Sequence, residues 1–144
     1  MSIPPNEWLA GASLAPAAVL RTWATDSLAA LPSGRLWQVV EADMLRSVEA
    51  MQRIRPEELG PVLVYPEAGR AWWLVPLGAD ALLTDIHCLT VHDTGWHLRC
   101  PPADRYFNGR CWLEKPDGTG RLTDPSTLGA AFKPIGTLPA EAFG

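Results

Sequence analysis

The run Arg70–Val75 sets two tryptophans, Trp72 and Trp73, side by side in a stretch that reads as an extended strand. Successive side chains of a strand point to opposite faces of its sheet, so the two indoles cannot share a side. Trp72 falls in phase with Leu74, and Trp73 with Ala71 and Val75. At least one of the pair is expected in a core, because each ring has a large area to bury. The same choice faces the whole set: the chain carries seven Trp against three Phe and two Tyr. Trp96 is in phase with Leu98 and Cys100, which leaves His97 and Arg99 on the other side. Most rings are expected in a core, with one or two exposed as a platform for a partner or a base.

The rest of the chain builds outward from this strand. Residues 61–65 precede it across Pro66-Glu67-Ala68-Gly69, a Gly-containing turn, so the two runs read as a hairpin. Upstream, Val19, Leu20, Trp23 and Leu28 fall at helical spacing over 13–28, with Ser13 as a cap and Pro16 in the first turn. Pro32-Ser33-Gly34 breaks the chain before a buried strand over 36–40. A helix over 42–54 follows, with Met44, Leu45, Val48, Met51 and Ile54 as its core-filling stripe, and Pro56 ends it. Residues 78–83 read as one helical turn. Residues 86–92 and 96–100 read as a second hairpin around Asp93-Thr94-Gly95, stopped by Pro101-Pro102. After a strand at 112–114, Asp124-Pro125 caps a final short helix through Phe132.

That order predicts an α+β fold with a largely antiparallel central sheet of about five strands and two or three helices packed on it. A length of 144 residues suits a single domain over 1–144, with 1–12 as a loosely ordered N-terminal arm. The chain is 47% hydrophobic and 19% charged, which supplies a core and excludes global disorder.

Composition narrows the function classes as well. A net charge of -4 disfavours a surface that tracks phosphates, although nucleic acid stays open as a partner. No apolar run reaches the roughly 18 residues of a membrane span, and the start lacks a charged-then-apolar leader pattern. The expectation is a cytoplasmic protein without a membrane partner. Cys88, Cys100 and Cys111 are an odd set, which fits a reducing compartment better than a disulfide scaffold.

His87, His92 and His97 lie among those cysteines, but neither a Cys-x-x-Cys nor a His-x-x-x-His pair is present to anchor a metal. No metal and no cofactor are expected. Asp93-Thr94-Gly95 has the tripeptide of aspartic proteases, yet it occurs once, and Asp-x-Gly between strands is an ordinary turn. There is no Gly-x-Ser-x-Gly elbow, and Gly118-Thr119-Gly120 lacks the Lys-Ser/Thr of a phosphate loop. Close carboxylate pairs occur at Glu57-Glu58, read as loop, and at Glu41 with Asp43, read as a helix start. No catalytic residue is assigned.

The phrases Leu31-Pro32-Ser33-Gly34, Trp37-Gln38-Val39-Val40, Gly60-Pro61-Val62-Leu63, Trp72-Trp73-Leu74-Val75-Pro76 and Leu122-Thr123-Asp124-Pro125 occur in this order. With Trp8-Leu9 and Val19-Leu20 near the start, the chain resembles the short actinobacterial proteins labelled bifunctional DNA primase/polymerase-like. The resemblance implies a small α+β domain with a central, largely antiparallel sheet. It transfers no site, since no Asp-x-Asp or Asp-x-Glu falls on an expected strand and no histidine sits in the matching motif.

Three functional expectations follow. The first is a non-catalytic, cytoplasmic interaction or regulatory domain that binds a protein partner or its own copy. The second is a degenerate primase-polymerase-like module that binds a nucleotide or a single strand, with Arg99, Arg105 or Arg110 beside an exposed ring. The third is a metal or thiol enzyme centred on residues 87–111. The binding residues expected across these readings are Trp73, Trp96, His97, Arg99 and Arg105.

Overall fold

The strand that carries the tryptophan pair lies at the centre of the molecule. In the computed structural model, which describes residues 3–106 and 108–133, the chain runs α1 (Pro5–Ala10), α2 (Pro16–Ala24), β1 (Ala29–Pro32), β2 (Gln38–Asp43) and α3 (Met44–Gln52). It continues through β3 (Val62–Tyr65), β4 (Arg70–Val75), α4 (Asp80–Leu83), β5 (Thr90–Val91), β6 (His97–Cys100), β7 (Cys111–Glu114) and α5 (Pro125–Phe132). The fold is α+β. Its main sheet has five antiparallel strands in the order β5-β2-β4-β3-β7, and β1 and β6 form a separate two-stranded ribbon. Among the described residues, no helix is long and apolar enough to cross a membrane.

Local chemistry explains several boundaries. The β3–β4 hairpin turns through Pro66–Ala68 and closes at Gly69, whose φ of 67° is a left-handed value that glycine adopts without strain. Helix α3 starts where the Asp43 carboxylate accepts the Arg46 N–H, and α5 starts where Asp124 accepts the Thr127 N–H. Gly60 permits the return of the chain after α5's approach loop. A Cβ there would stand 2.6 Å from both Leu122 Cα and Thr123 N.

The two faces of the sheet are covered by different material. On one, Val39, Leu63, Trp72, Leu74 and Trp112 meet the β1–β6 ribbon and helices α1 and α2 through Leu31, Leu98, Trp23 and Leu9. On the other, Val40, Ala42, Val62, Trp73 and Val75 meet α3, α4 and α5 through Ala50, Leu83, Leu128 and Phe132. The adjacent tryptophans of β4 thus serve separate cores, as the strand period requires.

Four expectations are corrected. The proposed loose arm over 1–12 is packed from Ile3 onward: Ile3 donates to the Gly118 carbonyl, and Leu9, Ala10 and Ala12 are buried. The helix expected over 13–28 is shorter, running Pro16–Ala24; its tail is a turn and loop that leads into β1, which pairs with β6. The expected hairpin over 86–100 is not one, because β5 pairs with β2 while β6 pairs with β1. Backbone bonds from His92 N to Val39 O and from Gly95 N to Ser33 O tie its loop to β2 and to the β1–β2 connection instead. Finally, β2 extends to Asp43, so Glu41 lies inside a strand and not at a helix start.

Candidate functional site

Because β2 runs on through Glu41, this carboxylate shares a face with the fully buried Val39 and stands directly opposite Trp72. A charge half-withdrawn from water needs partners, and Glu41 has three. Its Oε1 accepts from Trp72 Nε1 at 2.9 Å and from His92 Nε2 at 2.8 Å, and its Oε2 accepts from Arg70 Nε at 2.8 Å. Burial pushes the Glu41 pKa up, but the bonds from His92, Arg70 and Trp72 and the Arg70 charge more than offset this, so the carboxyl titrates below its ordinary value. The imidazole of His92 lies flat on Trp96, with ring centroids 3.6 Å apart and planes within 6°.

A second cation sits further along the same face. The guanidinium of Arg110 lies 4.6 Å from the centroid of Trp72 and 5.0 Å from that of Tyr65, and its Nη1 donates to the Arg99 carbonyl at 2.9 Å. Burial lowers its pKa; nearby Cys100, Tyr65 and Glu41 act in the opposite direction, and Arg99 adds to the lowering. This constellation ties β2, β4 and the 92–96 loop together, and it is a clasp before it is a reactive centre.

The five expected binding residues do not assemble into one surface. Trp73 is fully buried on the helical face, where its Nε1 donates to Ser47 Oγ at 3.0 Å and its ring meets Phe132 edge-on. Its expected role in binding is therefore corrected: no partner reaches it. Trp96 is half-buried and stacked on His92. His97 and Arg99 are exposed on alternate positions of β6, while Leu98 and Cys100 point into the core. Arg105 pairs with Asp26. Arg105, the exposed Tyr106 and Lys115 border a shallow hollow of about 190 Å3 that Asp104 also lines.

The histidines and cysteines are likewise dispersed in role. Among the described residues, no group of three or more His, Cys, Asp or Glu is arranged to hold a metal ion. All three cysteines are free thiols, and burial pushes the Cys100 thiol far above its ordinary range, which keeps it protonated and inert. The acidic pair Glu41 and Asp43 does share a strand face, contrary to the reading from spacing. Asp43 nevertheless turns its carboxylate onto the α3 backbone, and Glu41 is engaged as described.

Helix α3 supplies the feature that spacing misassigned. Its stripe Met44, Leu45, Val48, Met51 and Ile54 was expected to fill the core; Ile54 does so and Met51 packs half-buried against it, but Ser47 and Ala50 supply the rest of the buried face. Small residues at 47 and 50 let the helix sit close on β4, and the Ser47 hydroxyl receives the Trp73 N–H. Leu45 and Val48 of the stripe consequently turn outward: Leu45 is 68% exposed, Val48 36% and, on the sheet's end strand β7, Leu113 43%. Val48, Met51, Gln52, Leu59 and Leu113 line a groove of about 360 Å3. The β7 strand beside it is irregular at its pairing with Val62 and Leu63, a device that discourages simple strand addition at an edge.

No family model, curated protein or solved structure matches this chain.

Proposed function

We propose that this chain is a non-catalytic, cytoplasmic interaction domain that docks a second copy of itself through α3 and the neighbouring end of the sheet. The observation that carries the reading is the outward apolar stripe of α3 beside the groove lined by Val48, Met51, Leu59 and Leu113. Residues 45, 48 and 52 lie on one side of a helix, being three and seven positions apart. Leu45 projects from the first turn as a ridge, and the groove opens beside the last turns. Antiparallel approach of two α3 helices about a two-fold axis seats each Leu45 against the other copy's groove. Ridge and recess on one patch are what a self-complementary interface needs.

Sedimentation or light scattering over a range on the order of 10–500 μM tests this directly. A monomer–dimer equilibrium is expected in the intact chain, and Leu45→Asp should weaken it by at least about tenfold, since a charge would be driven into an apolar recess. Its folding stability should stay within about 0.5 kcal/mol, because Leu45 is already in water in the monomer. A chain that stays monomeric throughout, or a Leu45→Asp variant that dimerises equally well, overturns the reading.

A further inference from the structure

A second cavity, of about 310 Å3, opens on the helical face between the start of α3, the loop before β5 and the end of α5. That volume stands at the lower end of the range of about 300–1,000 Å3 typical of small-molecule sites. Its apolar surface comes from Ile86 and from Phe132, the ring that meets Trp73 edge-on in the core. Arg46, His87 and Lys133 also line it, and none of the three has an ion-pair partner among the described residues. Asp85 is the one acidic residue in the lining.

The position of Arg46 is the less expected part. It lies in the first turn of α3, the positive end of the helix dipole, where a cation is disfavoured by about 0.3–1 kcal/mol. The Asp43 carboxylate relieves the helix end by accepting the Arg46 backbone N–H, and it forms no ion pair with the Arg46 side chain. Lys133, by contrast, follows the last turn of α5, where a cation is favoured without any ligand. The cavity thus combines an apolar floor with more positive than negative charge at its edge. That is the chemistry that receives a small organic acid with its tail inward and its anionic head outward.

We propose that this cavity binds a small amphipathic organic anion, a monocarboxylate with a short apolar tail. The tail packs on Ile86 and Phe132, and the head is held by Arg46 and Lys133. This site is separate from the proposed dimer contact, and Leu45→Asp leaves its lining intact.

Octanoate serves as the probe, with octan-1-ol of the same chain length as the uncharged control, each titrated into the full 144-residue chain and followed by amide chemical-shift mapping. Octanoate is expected to saturate, with shifts centred on Ile86, Cys88 and Phe132, and to bind at least about tenfold more tightly than octan-1-ol. The double variant Arg46→Ala with Lys133→Ala should lose that preference while retaining the alcohol's weak binding, which shows that the cavity itself survives. Equal affinity for acid and alcohol overturns the proposal, as does an octanoate response in the double variant equal to that of the original chain. Binding that emerges only after residues 134–144 are removed also overturns it, because the cavity would then belong to the chain's own C-terminal segment.

Discussion

The two faces of the main sheet solve the same burial problem with different residues. Six of the seven tryptophans lie on or against the face covered by the β1–β6 ribbon, α1 and α2: Trp8, Trp23, Trp37, Trp72, Trp96 and Trp112. The face covered by α3, α4 and α5 has only Trp73 and is otherwise built mostly from Val, Leu, Ala and Ile. Helices lay regular ridges on a sheet, which aliphatic side chains fill closely. A two-stranded ribbon and two short helices form a less regular cover, and wide indoles span its gaps while tying elements together. Trp23 donates to the Cys100 carbonyl, Trp112 to that of Pro101, and Trp72 to Glu41. The tryptophan surplus therefore reports how one layer is built, and it is not a binding signature in itself.

The sharpest way to break this comparison is to truncate one fully buried indole on each side. Trp37→Ala and Trp73→Ala should each cost about 3–5 kcal/mol in urea unfolding. The milder Trp→Phe change should then separate them. Trp73→Phe removes the donor to the buried Ser47 hydroxyl, at a further cost of about 1–3 kcal/mol, whereas Trp37 Nε1 has no hydrogen-bond partner among the described residues. Trp37→Phe should accordingly be the better tolerated of the two by about 1–2 kcal/mol. Equal losses would mean that the two layers do not differ in how they use their indoles.

A smaller effect is expected at Gly60, which joins the sheet to the segment entering α5. Gly60→Ala forces its new methyl against the backbone of Leu122 and Thr123, and a loss of about 1–3 kcal/mol is expected in the same measurement. Gly69→Ala has open space around it, so any cost there comes from the left-handed backbone alone and should be lower, about 1 kcal/mol.

The Glu41 clasp belongs to the ribbon side and gives that side a pH dependence. Its folded-state pKa is depressed, so the stability it contributes is complete above the ordinary value of 4.5 and is lost as pH falls through the lower folded value. Glu41→Gln should lower stability at neutral pH and flatten the decline that the original chain shows as pH falls below the ordinary carboxyl value of 4.5. Parallel acid limbs for the two proteins would remove Glu41 from the account.

The parts legible in the sequence were those governed by short-range rules. The β3–β4 hairpin follows from two apolar runs around a Gly-ended turn, and the α5 start follows from Asp124-Pro125. The α+β class with a central antiparallel sheet follows from their order. What could not be read depended on partners distant in the chain. Strand β1 is a strand only because β6, some seventy residues on, pairs with it; the register joins Ala29 to Cys100. Glu41 offered one signal, a lone acid in phase with Val39 in an apolar run, but its bonds to Arg70, Trp72 and His92 needed β2, β4 and the loop after β5 to meet. The α3 stripe misled because helical period identifies faces without saying which one a sheet will accept.

The sequence by itself determined that Trp72 and Trp73 serve opposite faces, since the two-residue period of a strand is a property of the backbone. Only the tertiary structure decided which layer covers each face, that Trp73 is closed off from any partner, and that Leu45 and Val48 look outward. The reason is close packing. Ser47 and Ala50 allow α3 nearer to β4 than the bulkier stripe would, and the Trp73–Ser47 hydrogen bond holds that orientation.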